Sequence, residues 1–350
     1  MDPIKRGKTD SEARAALPDG VYEELHVRQG SRGPSSRLYR AHPPTGWVRS
    51  EGPAQSHRFD LNNLEPTDRR DPRGWPVAFL SNAELRISIS RRSEPMPFYA
   101  RNADWDELIF VHRGMGVIES DYGSLGYEPG DCVVMPRATA YRVVPDSEDG
   151  FFVLFESKGE FEPPEGGLKG VTLPQPDPRL GNENSGWEWE VRTLADGEFS
   201  SLFYSWDPLD IVGWTGNLTC WKINVRNIET SVELHGKAAF LTPGGVVRCL
   251  VAGPASKDAA AQPGPVFHKN ADHDEVLFQH APEPVAEPGL TPGMMSLHGR
   301  GMDHGPHIQL FSDEQTSLKT SGYALMLEAR QPLSILESGT QIEIAVPRLG

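Results

Sequence analysis

Long apolar runs are missing from this chain. No stretch of 18 apolar residues occurs in its 350, so nothing in it reads as a membrane-spanning helix. The N-terminal residues, MDPIKRGKTDSEARAAL, also lack the apolar segment of a secretory leader, which leaves the cytoplasm as the expected location. Cysteine is scarce: Cys132, Cys220 and Cys249 lie far apart and form no CxxC pair, which points to a reducing compartment and away from a disulfide framework. Positive charge is in deficit. Lys and Arg number 34 against 49 Asp and Glu, and the net charge of −15 argues against nucleic acid or an anionic membrane as partner. Sustained helical periodicity is absent too. There is no Ser-His-Asp order, phosphate loop or Gly-rich dinucleotide fingerprint, so hydrolase, kinase and dehydrogenase readings have no support.

What the chain has in quantity is Gly (35) and Pro (31), which favour turn-rich β structure over helix bundles. Short alternating runs such as LRISIS, DELIFVH and DCVVMP, punctuated by those residues, read as antiparallel strands. The expected class is all-β. Residues 1–75 are rich in Pro, Gly and Arg and read as an irregular arm, with Trp47, Phe59 and Trp75 to pack it on a larger body. Residues 76–157 form a first β unit, 158–190 a polar connector, and 191–350 a second β unit.

Histidine concentrates in the second unit. Seven of the eleven lie between His235 and His307, framed by VFHKNADHDEVLFQH and GMMSLHGRGMDHGPH. His268, Glu275 and His304 are the candidate metal ligands. Two imidazoles and one carboxylate on one face of a metal leave up to three positions open, as in non-haem Fe(II) oxygenases. His268 and Glu275 are seven positions apart, so alternation on a single strand would put them on opposite faces. They fit best with His268 before or at the start of a strand running through DHDEVLF. A lone histidine on an apolar strand is commonly just a packed core residue, and an internal repeat helps to separate the two readings.

FYARNADWDELIFVHRG (98–114) matches FHKNADHDEVLFQHAP (267–282), with Glu107 and Glu275 equivalent at an offset of 168 (275 − 107). Downstream, GDCVVMPRATAYRVV matches GMMSLHGRGMDHGPH at an offset of 163 (293 − 130). On this register His268 and His304 correspond to Ala100 and Tyr141. The first copy keeps the carboxylate alone and is expected to bind no metal. Histidines needed only for folding would be wanted in both copies. Two small barrels in one chain, one with ligands in its mouth, make a bicupin.

At this point the residues resemble the homogentisate 1,2-dioxygenase family, through LYRAHPPTGW (38–47), FYARNADWDELIFVHRG, LDIVGWTGNLTCWKINVRNIE (209–229), FHKNADHDEV and PGMMSLHGRGMDHGPH. The resemblance implies Fe(II) on His268, Glu275 and His304, and O2-dependent ring cleavage of a hydroquinone bearing an acidic side chain. It also implies a small aromatic substrate and a homo-oligomer. His304 is preferred over His307 as ligand by the H-G-P match, which leaves His307 as a substrate-side candidate. His298 is a candidate catalytic residue, by hydrogen bonding to substrate or to a ligand, and His235 falls near the family's acid–base histidine. Between Glu275 and His298, however, VLFQHAPEPVAEPGLTP holds two Glu and no Lys, Arg or Tyr. An anionic substrate side chain would need Lys237, Lys269 or Arg300; homogentisate is the lead candidate, with a neutral or bulkier hydroquinone or catechol close behind. Two other classes share the same triad or fold: a metal-dependent cupin isomerase or lyase, and a non-catalytic small-molecule-binding bicupin.

Overall fold

Alternation decides which layer each side chain enters. In LRISIS, Ile87 and Ile89 join one core while Ser88 turns the other way onto Glu156. The computed structural model describes residues 20–29, 32–52, 55–177, 188–228, 237–251, 267–281, 287, 289–305 and 323–346. The first run of strands is β1 (Tyr22–Gln29), β2 (Arg32–Arg40), β3 (Ser56–Asp60), β4 (Val77–Ser81), β5 (Leu85–Ser90), β6 (Tyr99–Asn102), β7 (Asp106–Arg113), β8 (Gly116–Ser120), β9 (Gly123–Tyr127), β10 (Asp131–Met135), β11 (Ala140–Pro145) and β12 (Phe151–Ser157). The second is β13 (Trp189–Ala195), β14 (Glu198–Tyr204), β15 (Trp221–Asn224), β16 (Lys237–Thr242), β17 (Gly245–Val251), β18 (Phe267–Asn270), β19 (Asp274–Gln279), β20 (Met294–His298), β21 (Tyr323–Ala329), β22 (Ser334–Ile335) and β23 (Glu343–Ile344). One short helix, α1 (Glu337–Thr340), lies before β23. Among the described residues no helix is long and apolar enough to cross a membrane.

The strands make two cupin-type barrels. The first is a seven-stranded sheet (β15-β10-β7-β12-β5-β4-β22) closed by a six-stranded one (β14-β13-β6-β11-β8-β9). The second is a seven-stranded sheet (β16-β17-β21-β19-β20-β3-β23) closed by a three-stranded one (β18-β1-β2). The two seven-stranded sheets share one apolar core, where Phe110 meets its repeat counterpart Phe278 edge-on at 5.9 Å between ring centroids. His112 and its counterpart His280 also meet there, Nδ1 to Nδ1 at 2.9 Å. All of β19 is buried for this reason: Val276 and Phe278 face the shared core, and Leu277 faces the interior of the second barrel.

The repeat is longer than the sequence suggested, and its halves exchange parts. Hairpin β1–β2 lies parallel to β18 (Leu25 opposite His268), and β3 pairs with β20. Hairpin β13–β14 lies parallel to β6 (Arg192 opposite Ala100), and β15 pairs with β10. Each repeat therefore opens with a hairpin and a strand that complete the barrel of the other repeat. This corrects two expectations. The arm over residues 1–75 is irregular only in part, since its described stretch holds three strands of the second barrel. The boundary at 191 does not divide the sheets either, because β13 to β15 belong to the first barrel. Alternation specifies a strand and its faces, but not which sheet edge it joins.

Candidate metal centre

The second barrel brings His268, Glu275 and His304 together, with donor atoms all within 4.8 Å of one another. His268 lies on β18 itself, and Glu275 follows on β19 after a tight turn. His304 is pinned opposite His268 by a pair of backbone hydrogen bonds: the His268 N–H donates to the His304 carbonyl at 2.8 Å, and the His304 N–H returns to the His268 carbonyl at 2.9 Å. Gly305, next in the chain, has φ +143°, a conformation that L side chains rarely adopt, which accounts for glycine after the ligand. The imidazole Nε2 atoms of His268 and His304 face the same Glu275 Oε2 at 3.2 and 3.3 Å. Asn270 donates to that oxygen at 2.8 Å.

These residues fit a cation. Nδ1 of His304 lies 2.9 Å from the Met302 carbonyl, which can only accept, so Nδ1 carries the proton. Burial, reinforced by His268, lowers the His304 pKa to about 4, so the ring is neutral near pH 7 and its Nε2 holds a lone pair. That Nε2 is buried without a hydrogen-bond partner and faces a carboxylate oxygen. Lone pairs aimed at one another repel, and a cation between them removes the repulsion.

Around the triad lie His298, which the sequence had marked, and several partners that it had not. On β20, His298 sits directly opposite Glu275 and stacks on His304, ring centroids 4.4 Å apart. Its Nδ1 meets Ser56 Oγ at 2.9 Å and its Nε2 meets Glu287 Oε2 at 3.1 Å. Arg58 in turn holds the other Glu287 oxygen, Nε to Oε1 at 3.0 Å. Burial would raise Glu287, but His298 and Arg58 lower it to about 2. On the opposite flank Glu328 pairs across the sheet with Glu275, and Arg248 reaches it at 3.1 Å. Glu328 had a visible sequence signal, since it is the repeat counterpart of Glu156, which sits opposite Glu107 in β12.

The remaining sequence candidates separate clearly. Arg300 is not brought to the triad. Its backbone N–H donates to Asp274 Oδ1 at 3.0 Å, its Nε lies 3.6 Å from the same oxygen, and its Nη2 donates to the Arg330 carbonyl. In the first barrel Arg137 makes the same pattern on Asp106 and the Lys158 carbonyl. The arrangement occurs with and without the histidines, so it braces the turn after β20. Lys269 is engaged by Glu24 and Asp303. Lys222 is paired with Asp131 at 2.7 Å. His235 and His307 lie outside the described residues, as does the side chain of Lys237.

Comparison with known proteins agrees at a coarse level. The family model described as homogentisate 1,2-dioxygenase N-terminal matches residues 81–225, less than half of the chain and entirely before the triad. The Saccharolobus solfataricus protein designated "Putative dioxygenase SSO1533" is 25% identical over 356 residues, covering 91% of this chain and 90% of its own. Among solved structures, the cupin 2 conserved barrel domain protein from Leptotrichia buccalis has 10% identity and a TM-score of 0.39, covering 78% of this chain and 96% of its own. A point mutant of Bacillus subtilis oxalate decarboxylase has 12% identity and a TM-score of 0.37, with 89% and 90% covered. At the level these matches reach, residues 81–225 resemble the N-terminal part of homogentisate 1,2-dioxygenases, and the chain as a whole resembles a protein designated a putative dioxygenase.

Proposed function

We propose that the chain is a non-haem iron dioxygenase that cleaves the ring of a homogentisate-like hydroquinone or related aromatic diol. The observation that carries this reading is the convergence of His268, Glu275 and a His304 whose buried lone pair lacks a partner. His268, Glu275 and His304 would hold Fe(II) and leave positions open to exogenous molecules. Bound there, the iron would supply Lewis acidity and the electrons for reaction with O2.

The protein's own groups handle protons and fit. His298 faces the Glu287 carboxylate with its Nε2–H and Ser56 Oγ with its Nδ1 lone pair, so it can take a phenolic proton at Nδ1 through the Ser56 hydroxyl. The second barrel also carries smaller side chains at two interior positions. Ala324 lies where the first barrel has the buried Phe152, and Ser296 lies where it has Val133. Among the described residues, both buried arginines lining this interior, Arg58 and Arg248, are already on carboxylates. A ring with a neutral substituent therefore suits the lining at least as well as homogentisate. The test is O2 uptake by anaerobically Fe(II)-loaded protein offered homogentisate, gentisate, unsubstituted hydroquinone and bulkier hydroquinones, with ring opening followed by absorbance. Uptake with any of these supports ring cleavage and identifies the substituent. Bound iron with no uptake contradicts it and favours the isomerase, lyase or binding readings.

A further inference from the structure

The segments that carry the two histidines are braced from the N-terminal arm by a group of charges centred on the buried Glu24. Glu24 on β1 is fully buried, and its two oxygens are engaged by Arg40 on β2 and by Lys269. Lys269 immediately follows His268 in the chain, and its ammonium also reaches Asp303 Oδ1 at 3.2 Å. Asp303 immediately precedes His304 and lies within hydrogen-bond reach of Glu24. The group thus ties both ligand-bearing segments to the arm. Its carboxylate comes from residue 24, more than 240 positions from the histidines.

The first barrel supplies a control at three of the four positions. Strand pairing makes Val191 the counterpart of Glu24, Ala140 that of Asp303, and Arg101 that of Lys269. Val191 and Ala140 belong to a small apolar cluster with Tyr99 and Leu209. A packed apolar cluster therefore closes this corner of the fold well. Burying charge here instead is costly unless every partner is held in place, and such a group fixes geometry more than it adds stability. It occurs in the barrel that carries the histidines.

We infer that Glu24 is a positioning residue for the metal centre, setting the mutual placement of His268 and His304 through Lys269 and Asp303. This rests on the metal-site reading above. Partners behind metal ligands characteristically change affinity by about 10- to 100-fold when removed.

The test is a Co(II) titration of the metal-free full-length protein, followed by visible ligand-field absorption, alongside the melting temperature of the metal-free form. The main variant, Glu24→Val/Asp303→Ala, copies the first barrel. It should bind Co(II) about 10- to 100-fold more weakly with shifted bands, while its metal-free melting temperature stays close to the parent's. If affinity and bands match the parent's, or only the melting temperature falls, the inference is overturned. If that variant does not fold, Glu24→Gln keeps size while removing charge, and the same weakening and band shift are required of it. If the parent binds no Co(II), or binds it equally well as His304→Ala, the metal-site reading itself fails and the inference goes with it.

Discussion

The two barrels are built on one plan and differ in what fills their mouths. In the first, Glu107 accepts from Asn102 at 3.0 Å and from the Tyr141 hydroxyl at 2.9 Å. Burial and the neighbouring Glu156 push it up to about 7. In the second, Asn270 repeats the contact of Asn102, His304 replaces Tyr141 and His268 replaces Ala100. A buried carboxylate paired with a phenol can be satisfied by protonation and hydrogen bonds. One facing the unpartnered lone pair of His304, with His268 beside it, calls for a cation. His298 takes the place of Met135, and Arg58, Arg248, Ser296 and Glu328 bring polar groups into an interior that keeps Leu250, Leu277 and Met326. The lesson is that folding does not require the histidines, since the same carboxylate sits comfortably without them.

The comparison can be broken outright. His304→Tyr gives the second barrel the first barrel's residue; metal binding should be lost while far-UV circular dichroism is retained, with metal content as the readout. A variant that keeps stoichiometric metal would mean that His304 is not a ligand. The shared core offers a test in which the barrels should behave alike. Phe110→Ala and Phe278→Ala remove equivalent rings from one interface, and each should cost about 3–5 kcal/mol in denaturant unfolding. A large inequality would mean that the barrels do not share one core evenly.

The carboxylates should diverge with pH. Because Glu107 in the folded protein sits above its ordinary value of 4.5, the unfolded chain gives up its proton first. Its stabilising contribution is present below pH 4.5 and is lost as pH rises through about 7, by up to about 3 kcal/mol. Glu107→Gln should therefore gain on the parent in thermal melts between pH 5 and pH 8, and parallel curves would refute the protonated carboxyl. The smallest effect belongs to the histidine pair at the interface. Burial lowers His112 to about 2 and His280 to about 4, so the unfolded state binds more protons below pH 6.5. Stability should fall from there towards pH 4, and His280→Asn should flatten that acid limb by about 1–3 kcal/mol.

Much of this was legible in the sequence, for a physical reason. The triad showed because the repeat places Ala100 and Tyr141 where His268 and His304 stand, turning a histidine cluster into a contrast. The strands showed because period-two alternation is local. The exchange of hairpins did not, since a strand's own sequence does not name the edge it joins. For the same reason Ser56, Arg58 and Glu24 were invisible as parts of the site: they reach it only through pairing across the whole chain. The bracing contacts of Arg300 also had a signal in the sequence. Arg137 occupies the same repeat position in a barrel without the histidines, which marks the residue as structural.

The central claim is that one plan carries a metal centre in the second barrel only, and counting iron per chain tests it most directly. Protein loaded with Fe(II) under anaerobic conditions should hold one iron in the parent, none in Glu275→Ala and one in Glu107→Ala. Iron retained by Glu275→Ala, or lost from Glu107→Ala while that variant stays folded, would contradict the account.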